Sequence, residues 1–367
     1  MEVKMKKTLA FVLAVLMLFG VMAGCGTKAF AADKAETREF TDDCGRTVTI
    51  PAEVTKIAVS GPLTQIYILP LCPELMVGYA NEFSMDASKY INAEFLKLPA
   101  LGQLYGGRGT MDLEALLAAG PEVVIDVGEQ KESTAGDLDA LTEQSGIPFV
   151  HIDATIETAN TAYRRLGELT GCTEKAETLS KWCEDCLENI NTIMEKVDKD
   201  NARKSILYCL GDKGLNVLAD GSFHAETLKL VAENAASLDD VVSSGDGNEV
   251  DMEQLILWNP DVIIFAPESV YSEVGADKTW QQLDAIKNSE YYETPFGPYG
   301  WLQSPPSVQR YLGLVWLTAL LYPDYIDYDL CSTVREYYSL FYGYEMSEEE
   351  FAELTANALP QEMEEAA

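Results

Sequence analysis

The side chains best equipped for chemistry in this 367-residue sequence sit in short glycine-bearing segments. Tyr79-Ala-Asn81, Tyr105-Gly-Gly-Arg108, Ser222-Phe-His224 and Tyr299-Gly-Trp301 place rings beside small residues, and Arg108 adds a cation. A guanidinium makes a charge-assisted fork with a carboxylate, a hydroxamate oxygen or an oxyanion, while aromatic rings stack on planar groups. Such loops suit a bulky anionic or planar ligand. Arg310, in Ser304-Pro-Pro-Ser-Val-Gln-Arg310, extends the set, with Phe223 and His224. Each also has a plainer reading: Arg108 as a surface charge at a helix entrance, Trp301, Tyr79 and Phe223 as packing groups, and Arg310 as the start of a helix running to Leu321.

Catalytic signatures are missing. There is no G-x-S-x-G, and no G-x-G-x-x-G follows the first strand; Gly106-Gly107-Arg108-Gly109 lacks the Lys-Ser/Thr of a phosphate loop. With 60 Asp and Glu, acidic pairs carry no information, so catalysis is not expected. Only His151 and His224 are present, whereas free zinc or manganese needs a cluster of His and carboxylates. Any metal must arrive already chelated, and no resident cofactor or metal site is implied. His151 falls in a strand pattern and reads as a satisfied core histidine.

The start of the chain reads as an export signal. Lys4, Lys6 and Lys7 precede an apolar run, Thr8 to Ala23, too short for a stable span and ending in small residues. Val21-Met-Ala-Gly-Cys25 is similar to a bacterial lipobox, which makes Cys25 the expected lipidated N-terminus. Losing residues 1–24 removes three Lys and one Glu and takes the formal charge from −34 to −36. So acidic a chain is repelled by nucleic acid. Eight Glu and no Lys or Arg fall between Glu345 and Ala367, a pattern expected to give a solvated helix fraying into disorder. The seven cysteines after Cys25 are odd in number and scattered, unlike a disulfide framework, although a single bridge stays open. Cys183-Glu-Asp-Cys186 lies inside a helical pattern without the preceding strand that a redox motif needs.

The elements that must position these loops alternate. Strands are expected at Arg46–Ile50, Lys56–Ser60, Val77–Tyr79, Glu122–Val127 and Phe149–Ile152, with helices through Leu71, over Asp112–Ala119 and over Ala135–Ser145. This alternation implies a parallel sheet with right-handed crossovers. From Glu174 to Val197, apolar residues recur at steps of three and four, which predicts a 24-residue helix about 36 Å long. The alternation then restarts with Ser205–Leu210, Asn216–Ala219 and a helix over His224–Asn234. Asp112-Leu-Glu114-Ala-Leu-Leu-Ala-Ala-Gly-Pro121-Glu-Val-Val-Ile125 matches Asp251-Met-Glu253-Gln-Leu-Ile-Leu-Trp-Asn-Pro260-Asp-Val-Ile-Ile264 at a constant offset of 139. One supersecondary unit therefore occurs on each side of the long helix.

In order and spacing these pieces resemble the periplasmic binding proteins that serve importers of ferric siderophores, haem and cobalamin. Leu166-Gly-Glu-Leu-Thr-Gly171, Trp280-Gln-Gln-Leu-Asp-Ala-Ile-Lys-Asn288 and Trp316-Leu-Thr-Ala-Leu-Leu-Tyr-Pro323 add to the likeness, which runs from Arg46 to about Tyr344. It implies two Rossmann-like α/β lobes joined by a single long α-helix, with ligand held between them and little domain closure. The expected divisions are a signal peptide 1–24, a linker 25–37, an N-terminal lobe 38–157, linking helices 158–199, a C-terminal lobe 200–345 and an acidic tail 346–367. The resemblance also implies docking on a permease, with its ATPase, through Glu114 and Glu253, and an aromatic wall at Trp301. It implies a monomeric, lipid-anchored receptor for an iron complex such as a ferric siderophore; haem, a corrinoid, or molybdate or tungstate are the alternatives, as is a sensory lipoprotein without transport.

Overall fold

The computed structural model describes residues 36–81, 83, 87–105, 110–303 and 305–360; the lipobox with Cys25 and the loop with Arg108 lie outside them. β1 (Thr37–Thr41) and β2 (Thr47–Pro51) pair as a two-stranded sheet. β3 (Ile57–Val59) leads into α1 (Pro62–Leu71), and α2 (Leu113–Ala119) into β4 (Val123–Gly128). α3 (Thr134–Ser145) then precedes β5 (Phe149–Asp153). The first lobe's sheet is parallel, ordered β3-β4-β5, with Ile57 opposite Val123 and Val124 opposite Phe149. Every residue of the central β4 is buried, as a strand covered on both faces requires.

Next come α4 (Ala159–Thr170) and the 27-residue α5 (Thr173–Lys199), about 40 Å long. The second lobe contains β6 (Ser205–Leu210), β7 (Asn216–Val217), α6 (Glu226–Val231), β8 (Glu233–Asn234) and β9 (Asn248–Glu249). α7 (Met252–Trp258), β10 (Val262–Phe265) and β11 (Tyr291–Glu293) follow. Its strands run β11-β10-β6-β7-β9, with β8 also on β6; the contacts of β10 with β6 and β11 are parallel. α8 (Arg310–Leu321), α9 (Leu330–Tyr337) and α10 (Glu348–Thr355) complete the chain.

The repeated sequence forms the same unit twice, in separate sheets. Asp112 caps α2 by accepting from Glu114 N and Ala115 N, and Asp251 caps α7 by accepting from Gln254 N. Both helices end on a left-handed residue, Gly120 (φ 62°) and Asn259 (φ 38°), before a buried proline that admits the chain to a central strand. The matched Asp112 and Asp251, and the left-handed Gly120 and Asn259, are thus a record of two caps and two exits.

The linking region is a pair of helices. Gly171 (φ 80°) takes the left-handed turn that ends α4. Gly167 permits close packing, because a Cβ there would collide with Ala176 Cβ on α5. One continuous core gathers Ile57, Ile125 and Ile152 from the first sheet, Ile206, Tyr208 and Ile264 from the second, and Leu179, Cys183, Ile190 and Ile193 from α5. Trp182 of α5 lies edge-on to Tyr311, Tyr337 and Phe341 of the C-terminal segment. Each sheet's opposite face builds a smaller core of its own, around Leu116, Val124 and Leu138, and around Leu255, Ile263, Phe265 and Trp280.

Three expectations need correction. Val77–Tyr79 makes only isolated bridges (Met76 to Ile57, Tyr79 to Ala100), because the segment divides its hydrogen bonds, Val77 N donating to Ile57 O and Tyr79 N to Pro99 O. The helix expected over His224–Asn234 stops at Val231, and Glu233–Asn234 joins β6 as β8. The acidic tail is packed as far as Leu359. Ser347 and Glu350 form a capping box, Phe351 and Leu359 are buried, and Trp316 Nε1–H donates to Ala358 O at 2.9 Å. Acidic residues in a helix's first turn complement its dipole, which composition alone does not reveal.

Replacing Gly167 with Ala should force α4 and α5 apart and lower stability by about 1–3 kcal/mol. Urea unfolding monitored by tryptophan fluorescence would measure it; an unchanged midpoint would show that the helix pair is not closely packed.

Candidate functional site

Three hydrogen bonds tie the two lobes together, two of them at α1 and one from α8. Ser307 Oγ donates to Leu63 O (2.9 Å), Gln65 Nε2 donates to the Tyr299 hydroxyl (3.3 Å), and the Tyr311 hydroxyl donates to Ile156 O (2.7 Å). On one side stand the loops after β3 and β4, the segments 79–81 and 101–105, and Phe83; on the other stand Ser222–His224, Gly245 and Gln303. Carboxyl ends of strands in open α/β sheets are where ligands bind.

Tyr79 is half-buried and edge-on to Phe83, ring centroids 5.3 Å apart. Tyr105 is half-buried, and its carbonyl accepts from Gln103 Nε2 at 2.8 Å. Burial pushes the Tyr105 phenol up to about 12, so it is a neutral group at physiological pH. Asn81 Nδ2 donates to Gln103 Oε1 (2.5 Å), and Gln65 Oε1 accepts from Ala80 N (2.8 Å), so buried amides fix the backbone of this loop. His224 is half-buried on the facing lobe. Its Nδ1 donates to Gln303 Oε1 at 3.2 Å, given that Gln303 Nε2 donates onward to Gly245 O at 3.3 Å. Burial lowers the His224 pKa, and the positive charges of Arg310 and Lys131 lower it further.

The cation that accompanies these groups among the described residues is Lys131, in the exposed loop after β4, with Nζ 5.8 Å from the Tyr105 ring centroid. Lys131 lies outside the ring-and-glycine segments that stand out in the sequence. Gln303 was missed likewise, two residues beyond Trp301; glutamine carries no charge or ring to attract notice.

Two expected ligand contacts are core groups instead. Trp301 is fully buried, with its indole N–H donating to the Tyr338 hydroxyl (3.3 Å) and its ring edge-on to Trp316. Arg310 is only 2% exposed, and its donors are committed within the protein. Nε donates to Ser307 O (3.3 Å), Nη1 donates to Phe223 O (3.0 Å), and Nη2 lies 2.8 Å from the Glu226 carboxylate. Its guanidinium also stands 4.7 Å from the Phe223 ring centroid. Half-buried Phe223 is thus held from behind by Arg310, whose guanidinium is engaged by protein partners. Burial lowers the Arg310 pKa and raises that of Glu226 despite their pairing.

Beneath the first lobe's loops runs a buried polar chain. Ser60 Oγ donates to Asp126 Oδ1, His151 Nδ1 lies 2.7 Å from Asp126 Oδ2, and His151 N donates to Asp42 at 3.2 Å. The hydroxyl bonds to the carboxylate and not to the imidazole, so this is no nucleophile–base pair. Among the described residues no group of three His, Cys, Asp or Glu is arranged to hold a metal. A depression along α5 is lined by Glu184, Glu188 and Glu195, which disfavours an anion. Glu114 and Glu253 are exposed in the first turns of α2 and α7, one on each lobe.

Two α/β lobes sharing a helical spine, with opposed loops of rings and polar groups, define a cleft-type solute receptor. The chain belongs to the periplasmic binding protein family, whose model matches residues 83–297. It is similar to an ABC transporter solute binding protein from Sulfurospirillum deleyianum, at 29% identity and a TM-score of 0.79, covering 87% of this chain and 99% of that one. The molybdate-binding protein MolA of Haemophilus influenzae is 22% identical over 353 residues, 89% of this chain and 97% of its own length. The MolA structure bound to molybdate superposes with a TM-score of 0.67 at 20% identity, over 84% and 99% of the two chains. Helicobacter pylori CeuE with Ni(II) bound gives 0.61 at 16% identity, over 86% and 99%. The chain is accordingly an extracytoplasmic substrate-binding protein and not an enzyme; proteins of this family bind small ligands for ABC importers, which work through a permease and an ATPase.

Removing one member of the buried ion pair tests the supporting role of Arg310. Arg310→Met should destabilise the fold by about 3–5 kcal/mol by stranding Glu226, and Glu226→Gln in the same chain should recover part of the loss. Thermal unfolding reports both; a stable Arg310→Met variant that merely binds ligand poorly would restore a direct contact.

Proposed function

We propose that the cleft captures a compact metal oxyanion of the molybdate or tungstate type and delivers it to the permease. The observation that carries this reading is that Lys131 and His224 come from opposite lobes, with Lys131 near enough for its charge to lower the His224 pKa. An anion there would accept charge-assisted hydrogen bonds from Lys131, and from His224 once that ring is protonated. Trp301 and Arg310, which would have served a large planar chelate, are committed to the core. The likeness to a molybdate-binding protein over almost its whole length supports the same reading. A ferric chelate is the second reading, favoured by the half-buried rings of Tyr79, Phe83 and Phe223. Arg108 belongs to the candidate set in either case.

Calorimetric titration of the full chain with molybdate, tungstate, sulfate, a ferric hydroxamate and haemin ranks these readings. Molybdate or tungstate should bind, and Lys131→Ala should weaken binding roughly tenfold or more, about 1.4 kcal/mol. Because the His224 pKa is lowered, the ring is neutral at pH 7 and gains its charge only as pH falls below about 6.5. Anion affinity should therefore rise on acidification, and His224→Gln should flatten that rise. Binding of the ferric hydroxamate alone would transfer the assignment to iron.

Docking is proposed to use Glu114 and Glu253, and anchoring to use lipidated Cys25, with lobes at 38–157 and 200–345. Glu114→Ala with Glu253→Ala should leave ligand affinity intact while cutting uptake by reconstituted transporter roughly tenfold. Cys25→Ser should move the chain from the membrane to the soluble fraction; unaltered uptake or unaltered fractionation would count against the respective roles.

A further inference from the structure

The duplicated helices α2 and α7 each turn one leucine inward and one outward. Inward, Leu116 enters the core around Val124 and Leu138, and Leu255 enters the core around Ile263 and Phe265. These two match at the offset of 139 and complete the fold of their lobes. Outward, Leu117 is 52% exposed, three residues after Glu114, and Leu257 is 77% exposed, four residues after Glu253. Residues three and four apart share a helix face, so each exposed leucine stands one turn from an exposed carboxylate. Among the described residues only two other large apolar side chains, Val242 and Phe296, are exposed. A single exposed leucine needs no explanation; the same pairing on both copies of one unit does.

We propose that Leu117 and Leu257 are apolar anchors of the docking surface, each seated in an apolar socket of the permease that has a basic rim. This rests on the reading that Glu114 and Glu253 face the permease, and it adds what retains the partner once they meet. Charge selects the occupant. Residues 112–122 hold three carboxylates and residues 249–261 hold four, with no Lys or Arg in either segment. Such a surface attracts a cationic partner and repels a second copy of this chain. The two helices pack on the separate outer cores of the two lobes, so a partner covering both leucines spans both lobes. Exposed carboxylates steer the encounter and fix its register, but an exposed ion pair adds little to lifetime. Burial of a leucine removes apolar area from water, a gain that appears mainly in the dissociation rate.

The test measures association and dissociation of the full chain on the permease–ATPase complex of the same importer, held in nanodiscs. Leu117→Gln and Leu257→Gln keep good helix formers at exposed positions, so Tm and ligand affinity should stay unchanged. Each should raise the dissociation rate roughly tenfold and leave the association rate within about twofold. Glu114→Ala with Glu253→Ala should instead slow association and reduce its dependence on salt. Unaltered dissociation of both leucine variants, beside poor association of the glutamate variant, would overturn the anchors and leave carboxylate docking standing. Unaltered rates for all variants would remove both. Sedimentation of the chain alone is the remaining arm: self-association that the leucine substitutions abolish would assign this face to a second copy and overturn the proposal.

Discussion

A single apolar core extends beneath both lobes, and this constraint governs the rest of the molecule. Sheet residues from each lobe, Ile125 and Ile264 among them, pack into the same body of side chains as Leu179 and Ile190 of α5. Opening such a structure like a book would expose buried surface at about 25 cal/mol per Å². The gap between the facing loops is bounded by this shared core and by the bonds Ser307–Leu63 and Gln65–Tyr299, which tie the two lobes together. Specificity in such a site rests on preorganised donors.

The architecture was legible because it is written in periodicity and repetition. The 139-residue offset survives because Asp112 and Asp251 do the same capping, and Gly120 and Asn259 make the same left-handed exit. The long helix was legible from its apolar stripe, only three residues short of its observed extent. The tail was not legible, since eight glutamates hide the two apolar anchors, Phe351 and Leu359, that seat it. The site was only partly legible. Rings and cations signal binding by type, yet nothing local distinguishes a ring facing a cleft from one facing a core, and Trp301 falls in the core because Tyr338 accepts its N–H. Gln303 and Lys131 acquire meaning only when two lobes are brought together.

The acidic surplus is not spread evenly. Much of it lies on exposed helix surfaces, including α5 with Glu184, Glu188 and Glu195, and in the first turns of α2, α7 and α10. Between the facing loops stand the amides of Asn81, Gln103 and Gln303, the His224 imidazole and the Lys131 ammonium, with Glu129 and Asp246 as the nearby carboxylates. At physiological ionic strength the exterior field decays within about 8 Å, so the local donors dominate at contact.

The seating of the last helix makes the core depend on residues far along the chain. Ala358 O accepts from the Trp316 indole 42 positions earlier, and Phe351 and Leu359 are buried in the same body of side chains. Loss of the segment from Phe351 to Leu359 would therefore strip the indole N–H of its acceptor and uncover the apolar face beside α8, so this acidic stretch is a fastening of the core and not an appendage to it.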